Sequence, residues 1–194
     1  WKHSETDYDK YIFVGSRVKD IKKILLKLEG GYDNITSKEE KQLDKEISYF
    51  KKQFGKIKEN HTQCIILCPT RELCIQIKKD LDVFAKYMNT KINSVYGGTD
   101  IKSQIKSLEK GNQIIVGTPG RVIDLIKRNK INLEKINTIV MDEADEMLNM
   151  GFKKNIDTIL KKTPTNKQTL LFSATMPKEV LKISKNYMQK THMI

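Results

Sequence analysis

From Thr62 onward the chain alternates short, unbroken apolar runs with stretches of helical periodicity, and this alternation leaves few folds open. The runs "QCIILC", "INSVY", "QIIVG", "INTIVM" and "QTLLFS" are continuous rather than alternating. Such strands can be covered on both faces, as in a parallel sheet. Between them come "ELCIQIKKDLDVFAKYM", "IKSQIKSLEKG", "RVIDLIKRN", "FKKNIDTILKK" and "PKEVLKISKNYM". In the first of these, Leu73, Ile77, Leu81, Phe84 and Met88 recur at three or four residues and predict one apolar helical face. Strands and helices in alternation form right-handed βαβ units, so the expected fold is α/β, a doubly wound parallel sheet flanked by helices. Ligands of such sheets sit outside the carboxyl ends of the strands.

The first sixty-one residues read differently. "YIFV" is a candidate strand, with a helix after it in "RVKDIKKILLKL". Ser37 with Glu40 forms a capping box that opens a second helix, whose apolar stripe is Leu43, Ile47, Phe50, Phe54 and Ile57. That stripe covers barely two heptads, which suits packing on the domain better than a coiled coil. The intervening "GGYDNITSKEEK" reads as a loop. The expected organisation is a divergent, largely helical N-terminal segment at 1–61 and a core domain at 62–194.

With 36 Lys and Arg against 24 Asp and Glu, the 194-residue chain has a net charge of +12. Its only arginines are Arg17, Arg71, Arg121 and Arg128. A basic balance favours a polyanionic partner, nucleic acid above all, although a lysine-rich surface also serves solubility. Cys64, Cys68 and Cys74 lack paired Cys-x-x-Cys spacing and are expected to be buried, reduced thiols rather than zinc ligands. No run of about 18 apolar residues could span a bilayer, and "WKHSETDYDK" has no apolar core for a secretion signal. The expectation is an intracellular protein without a membrane partner. Because the sequence begins at Trp1 rather than Met, it is also expected to be a piece of a longer one.

Against this basic background, three carboxylates crowd into "MDEAD" at residues 141–145. Like charges held close repel unless a cation sits between them. "INTIVM" places Asp142 at a strand's carboxyl end, where it could hold Mg²⁺ through its water shell while Glu143 accepts a proton from an attacking water. The plainer alternative is acidic residues opening a helix, where the macrodipole favours them. Other strand ends carry "PTREL", "YGGTD", "TPGR" and "SAT". Their glycines, hydroxyls and arginines suit phosphate oxygens, although each alone is an ordinary turn or cap.

Taken together and in order, "PTREL", "GG", "TPGR", "DEAD" and "SAT" resemble the first RecA-like domain of the DEAD-box ATP-dependent RNA helicases, over roughly residues 62–194. "MLNMGF" after the acidic motif resembles the family too. The resemblance implies ATP and Mg²⁺ as cofactors, with Asp142 and Glu143 serving the metal and the water. It implies that Asp145, Ser173, Ala174 and Thr175 couple nucleotide state to RNA binding. Pro69, Thr70, Arg71, Glu72, Gly97, Gly98, Thr118, Pro119, Gly120 and Arg121 would line RNA along its sugar-phosphate backbone, with little sequence preference and strong salt dependence. It further implies a second RecA-like domain as partner and unwinding by local parting of a short duplex.

One departure stands out. A phosphate loop, Gly-x-x-x-x-Gly-Lys-Ser/Thr, occurs nowhere in the 194 residues, and the family's adenine-reading glutamine segment is not recognisable. The nearest candidate is "YIFVGSRVKDIKK", with Gly15, Ser16 and Lys19 in the corresponding place but one glycine short, and Asp20 following the lysine. Two accounts stand: a piece of a working helicase, or a diverged helicase-like module that binds RNA or a protein partner without turning over ATP. A DNA motor is a third reading, separable by comparing affinity for single-stranded RNA and DNA at fixed salt. The expected setting is intracellular, in nucleus or nucleolus, cytoplasm or an organelle. In either account residues 1–194 alone are expected to be inactive as an ATPase.

Overall fold

The computed structural model of the chain describes residues 10–14, 61–85, 90–188 and 191–193. The expected helices in "RVKDIKKILLKL" and after Ser37, the loop between them, Gly15, Ser16, Lys19 and Met88 lie outside the described residues.

The strands are β1 (Lys10–Val14), β2 (Cys64–Leu67), β3 (Ile92–Val95), β4 (Ile114–Gly117), β5 (Thr138–Met141), β6 (Gln168–Ser173) and β7 (Thr191–Met193). The helices are α1 (Arg71–Ala85), α2 (Ile101–Glu109), α3 (Pro119–Lys127), α4 (Ala144–Asn149), α5 (Lys153–Lys162) and α6 (Lys178–Tyr187). All neighbouring strands pair in parallel, in the order β3-β4-β2-β5-β6-β1-β7. The interior strands β2 and β4 are buried at every residue, as continuous apolar runs allow, whereas β5 alternates half-buried with buried positions. Edge strand β3 is half-buried at Asn93 and Ser94. The "YIFV" strand forms as β1, between β6 and β7. The sequence reading had no counterpart for β7, because three residues with one apolar side chain carry no periodic signal.

Strand side chains alternate between faces, and the core divides accordingly. Ile65, Leu67, Ile115, Ile139 and Met141 point to one face, where they pack with Leu108 of α2, Val122 and Leu125 of α3, Met147 of α4, Ile156 and Ile159 of α5 and Val180 and Ile183 of α6. Cys64, Ile66, Ile114 and Val116 point to the other, against Cys74 and Ile77 of α1. Chain direction explains the division. From β2 the chain steps over β4 to β3, whereas β3 to β4, β4 to β5 and β5 to β6 all step the opposite way. With every crossover right-handed, reversing the step reverses the face. The apolar stripe of α1 is buried Cys74 and Ile77 with half-buried Leu73, Leu81 and Ala85; Phe84, also half-buried, lies outside this cluster. The three cysteines are free and buried, as expected.

Gly117 ends β4 where there is no room for a side chain. An added Cβ would lie 2.6 Å from Val122 Cγ2, 2.7 Å from Val95 Cγ2 and 3.1 Å from the Val95 carbonyl oxygen. Both valines are at most 1% exposed and cannot yield outward. Gly117→Ala is therefore expected to cost about 1–3 kcal/mol through overpacking, read as a lower urea midpoint; an unchanged midpoint would refute the close approach.

Candidate functional site

In a parallel sheet the strands' carboxyl ends open on one edge, and here that edge gathers the candidate residues. Along it run Tyr96-Gly97-Gly98 after β3, Thr118 after β4, Pro69-Thr70 after β2, Asp142-Glu143 after β5 and Ala174-Thr175 after β6. The glycine and arginine turns fill one half of the edge and the acidic and serine-threonine turns the other. β1 ends next to β6, pairing Val14 with Ser173.

Asp142 is 8% exposed. Its N–H donates to the Leu67 carbonyl oxygen at 2.9 Å, continuing the β2–β5 ladder, and its Oδ1 accepts the Glu143 N–H at 3.1 Å. Burial, then the charge of Glu143, push its pKa up to about 6, with the Glu143 N–H pulling the other way. Glu143 is exposed and sits in the left-handed region at φ 52 and ψ 53, which turns the chain abruptly from β5 into α4. A non-glycine residue held there stores strain of the kind that gathers at functional turns. Among the described residues no three His, Cys, Asp or Glu side chains close a metal cage. Two adjoining carboxylates form a half-site, which fits Mg²⁺ better than a fully caged ion, because Mg²⁺ keeps several waters and takes further ligands from phosphates.

Asp145 closes a ring with the "SAT" turn. Its N–H donates to Ser173 Oγ at 3.2 Å, and Ser173 Oγ donates to the Thr175 carbonyl oxygen at 2.7 Å. The Thr175 N–H and hydroxyl both donate to Asp145 Oδ2, at 2.8 Å and 2.6 Å. Oδ1 accepts from the Glu146 N–H at 3.1 Å. Burial raises the carboxyl's pKa, but the donors from Thr175, Ser173 and Glu146 outweigh it and hold the group below the ordinary aspartate value. Ala174 carries no side-chain role in this ring and is exposed beside Thr175.

On the other half, Gly97 and Gly98 are exposed with open space in front of them, and Gly98 has φ +74. Arg71 and Glu72 are exposed at the start of α1. The Arg71 guanidinium lies over the Tyr96 ring, 5.3 Å from its centroid. Thr70 is half-buried, and its Oγ1 accepts the Leu73 N–H at 3.2 Å as an N-terminal cap. Pro69, Thr118 and Pro119 are buried, whereas Gly120 and Arg121 are half-exposed. Arg121 donates inward, from Nη1 to Gln104 Oε1 at 3.1 Å and from Nη2 to the Thr99 carbonyl oxygen at 3.2 Å. Tyr96, Thr99 and Gln104 thus belong to this site, yet they lie in a turn and mid-helix and none shows a spacing that singles it out. Behind the edge, the Cys68 and Cys74 sulfurs are 3.0 Å apart; the hydrogen bond to the Cys74 thiol and burial push the Cys68 thiol far up.

These environments predict opposite pH responses. The folded-state pKa of Asp142 is above its unfolded value, so its stabilisation is complete below about pH 4 and lost as pH rises through about 6. Without divalent ions, Asp142→Asn is expected to gain on the wild type across that window by on the order of 2 kcal/mol, measured as paired urea midpoints. Asp145 stabilises above its unfolded pKa and loses this as pH falls through its lower folded value. Thr175→Val should cost about 1 kcal/mol at neutral pH and flatten the acid-side loss; an acid limb as steep as the wild type's would refute the ring's role.

Residues 45–183 match the sequence profile of the family described as DEAD/DEAH box helicase. The ATP-dependent RNA helicase CshA of Listeria monocytogenes is 49% identical over 137 residues, 71% of this chain and 26% of that protein. The DEAD-box ATP-dependent RNA helicase CshA of Bacillus subtilis is 51% identical over 126 residues, 65% of this chain and 26% of the relative. Among solved structures, a DEAD box protein from the hyperthermophile Methanococcus jannaschii matches with a TM-score of 0.72 and 35% identity, over 96% of this chain and 45% of that one. The chain spans about a quarter of these curated relatives and less than half of the solved protein. With a RecA-like parallel sheet and a profile match over most of its length, this chain belongs to the DEAD/DEAH box helicase family.

Proposed function

We propose that the chain is the first RecA-like core domain of an ATP-dependent RNA helicase, coupling Mg-ATP binding and hydrolysis to a grip on the RNA backbone. The observation that carries this reading is the division of the carboxyl edge into two halves, with the Asp145 ring joining the "DEAD" and "SAT" turns. The triphosphate would lie over the ends of β5, β6 and β1. When bound there, Mg²⁺ would screen phosphate charge, held by Asp142 through its water shell. Glu143, exposed beside that carboxylate, accepts the proton of the attacking water. Asp145, Ser173 and Thr175 transmit the nucleotide's state, because a hydrogen-bonded ring shifts as a unit. RNA would run across the ends of β3, β4 and β2, meeting Gly97, Gly98, Thr70, Arg71 and Gly120 along its phosphates and sugars. A second RecA-like domain would complete both clefts, and the work is intracellular.

One observation favours a second reading, a helicase-like RNA-binding or adaptor module without turnover: no Gly-x-x-x-x-Gly-Lys-Ser/Thr sequence stands in these residues to cradle phosphates. Glu143→Gln in the longest native form of the protein separates the two. A helicase loses hydrolysis by about 10²–10⁴-fold and keeps its RNA affinity, whereas for an adaptor the substitution changes nothing. For residues 1–194 alone the expected ATPase rate is negligible, and isothermal titration showing Mg²⁺-dependent, micromolar ATP binding would overturn that expectation.

A further inference from the structure

The turn that carries Gly97 and Gly98 is held through the residues on either side of them. Gln104, the fourth residue of the nine in α2, is 9% exposed. Its Nε2 donates to the Tyr96 carbonyl oxygen at 3.0 Å and to Thr99 Oγ1 at 2.7 Å. Tyr96 and Thr99 flank Gly97 and Gly98, so one amide group clasps the turn from both ends. Its Oε1 accepts from Arg121 Nη1 at 3.1 Å, and Arg121 Nη2 reaches the Thr99 carbonyl oxygen at 3.2 Å. The orientation of the amide follows from these partners, since a flipped group would set oxygen against the Tyr96 carbonyl and NH₂ against the guanidinium. Within the turn itself the support is one long hydrogen bond, from the Thr99 hydroxyl to the Tyr96 carbonyl oxygen at 3.5 Å. Its glycines meet nothing within 4 Å of where a Cβ would be, and glycine pays the largest entropy cost for being fixed. Asp100 adds support on the helix side only, capping α2 through the Lys102 and Ser103 N–H groups at 3.1 Å each.

We propose that Gln104 is a positioning residue for RNA binding, tying the glycine turn after β3 to the inward-facing Arg121 guanidinium at the start of α3 so that the turn keeps one geometry toward the RNA backbone. This rests on the proposed RNA-binding function. A preorganised turn binds more tightly because less freedom is lost on binding. Gln104 itself makes no phosphate contact, so removing it weakens binding without removing a charge that displaces counterions.

The test uses the full-length protein and a fluorescein-labelled, unstructured oligouridine RNA, followed by anisotropy over a series of salt concentrations. Gln104→Met, of similar length and without hydrogen-bonding groups, is expected to weaken RNA binding about tenfold. The slope of log affinity against log salt should stay as in the wild type, and nucleotide affinity should be unchanged. Thr99→Val removes one acceptor of the clasp together with the hydroxyl's own long bond to the Tyr96 carbonyl oxygen and should weaken binding about threefold; it carries the test if Gln104→Met does not fold. Full RNA affinity in Gln104→Met, or in Thr99→Val where that variant stands in, overturns the inference and leaves the proposed function intact. A salt slope lower by about one reveals a lost phosphate contact and also overturns it, as does a parallel loss of nucleotide affinity, the mark of general damage. Wild-type protein that fails to bind the RNA overturns the proposed function and this inference together.

Discussion

A parallel ladder forces each connection to return along the outside of the sheet, so that all the strands point their carboxyl ends at the same edge. In this chain that constraint decides where chemistry can happen. The turns after β2, β3, β4, β5 and β6 are separated by long stretches of sequence, and register alone makes them neighbours. The right-handedness of the crossovers adds a second consequence. The backward step from β2 to β3 puts α1 on the face opposite α2 to α6, and "PTREL" enters α1 between the glycine half of the edge and the acidic half.

Two polar networks then tie the turns to one another. Asp145, Ser173 and Thr175 join the ends of β5 and β6, while Gln104, Thr99 and Arg121 join the end of β3 to the start of α3. Both are largely satisfied within the protein, and a satisfied buried network holds one arrangement because any partial disruption strands a polar group away from water. Asp142 is the contrast. Its one N–H donor does not offset burial and the neighbouring Glu143 charge, and its carboxyl is pushed up to about 6. Satisfied groups build the frame of the site, and Asp142 is the carboxylate that the fold leaves under-compensated.

The strands were legible because buried parallel strands have unbroken apolar sequences. "QTLLFS" forms β6 over its whole length, and the remaining runs form strands shortened by one or two residues at their ends. The acidic and "SAT" turns were legible only as members of the ordered motif set, since each alone reads as an ordinary turn or helix start. Gln104 was not: a glutamine in "IKSQIKSLEKG" looks like any exposed polar helix residue until the Tyr96 turn folds over it and buries it. Nor did composition distinguish Thr118 and Pro119, which are buried, from Gly97 and Gly98, which are exposed.

What the amino-acid sequence determined by itself is the strands β2 to β6, the helices between them and the residue types at each of those strand ends, because periodicity and turn chemistry are local properties read within a dozen residues. Their order along the edge was decided only in three dimensions. In the chain the turns run "PTREL", "GG", "TPGR", "DEAD", "SAT"; across the sheet they run "GG", "TPGR", "PTREL", "DEAD", "SAT". The difference arises because β4 inserts between β3 and β2, a choice made by long-range pairing and crossover hand, and neither leaves a mark in any local stretch of sequence.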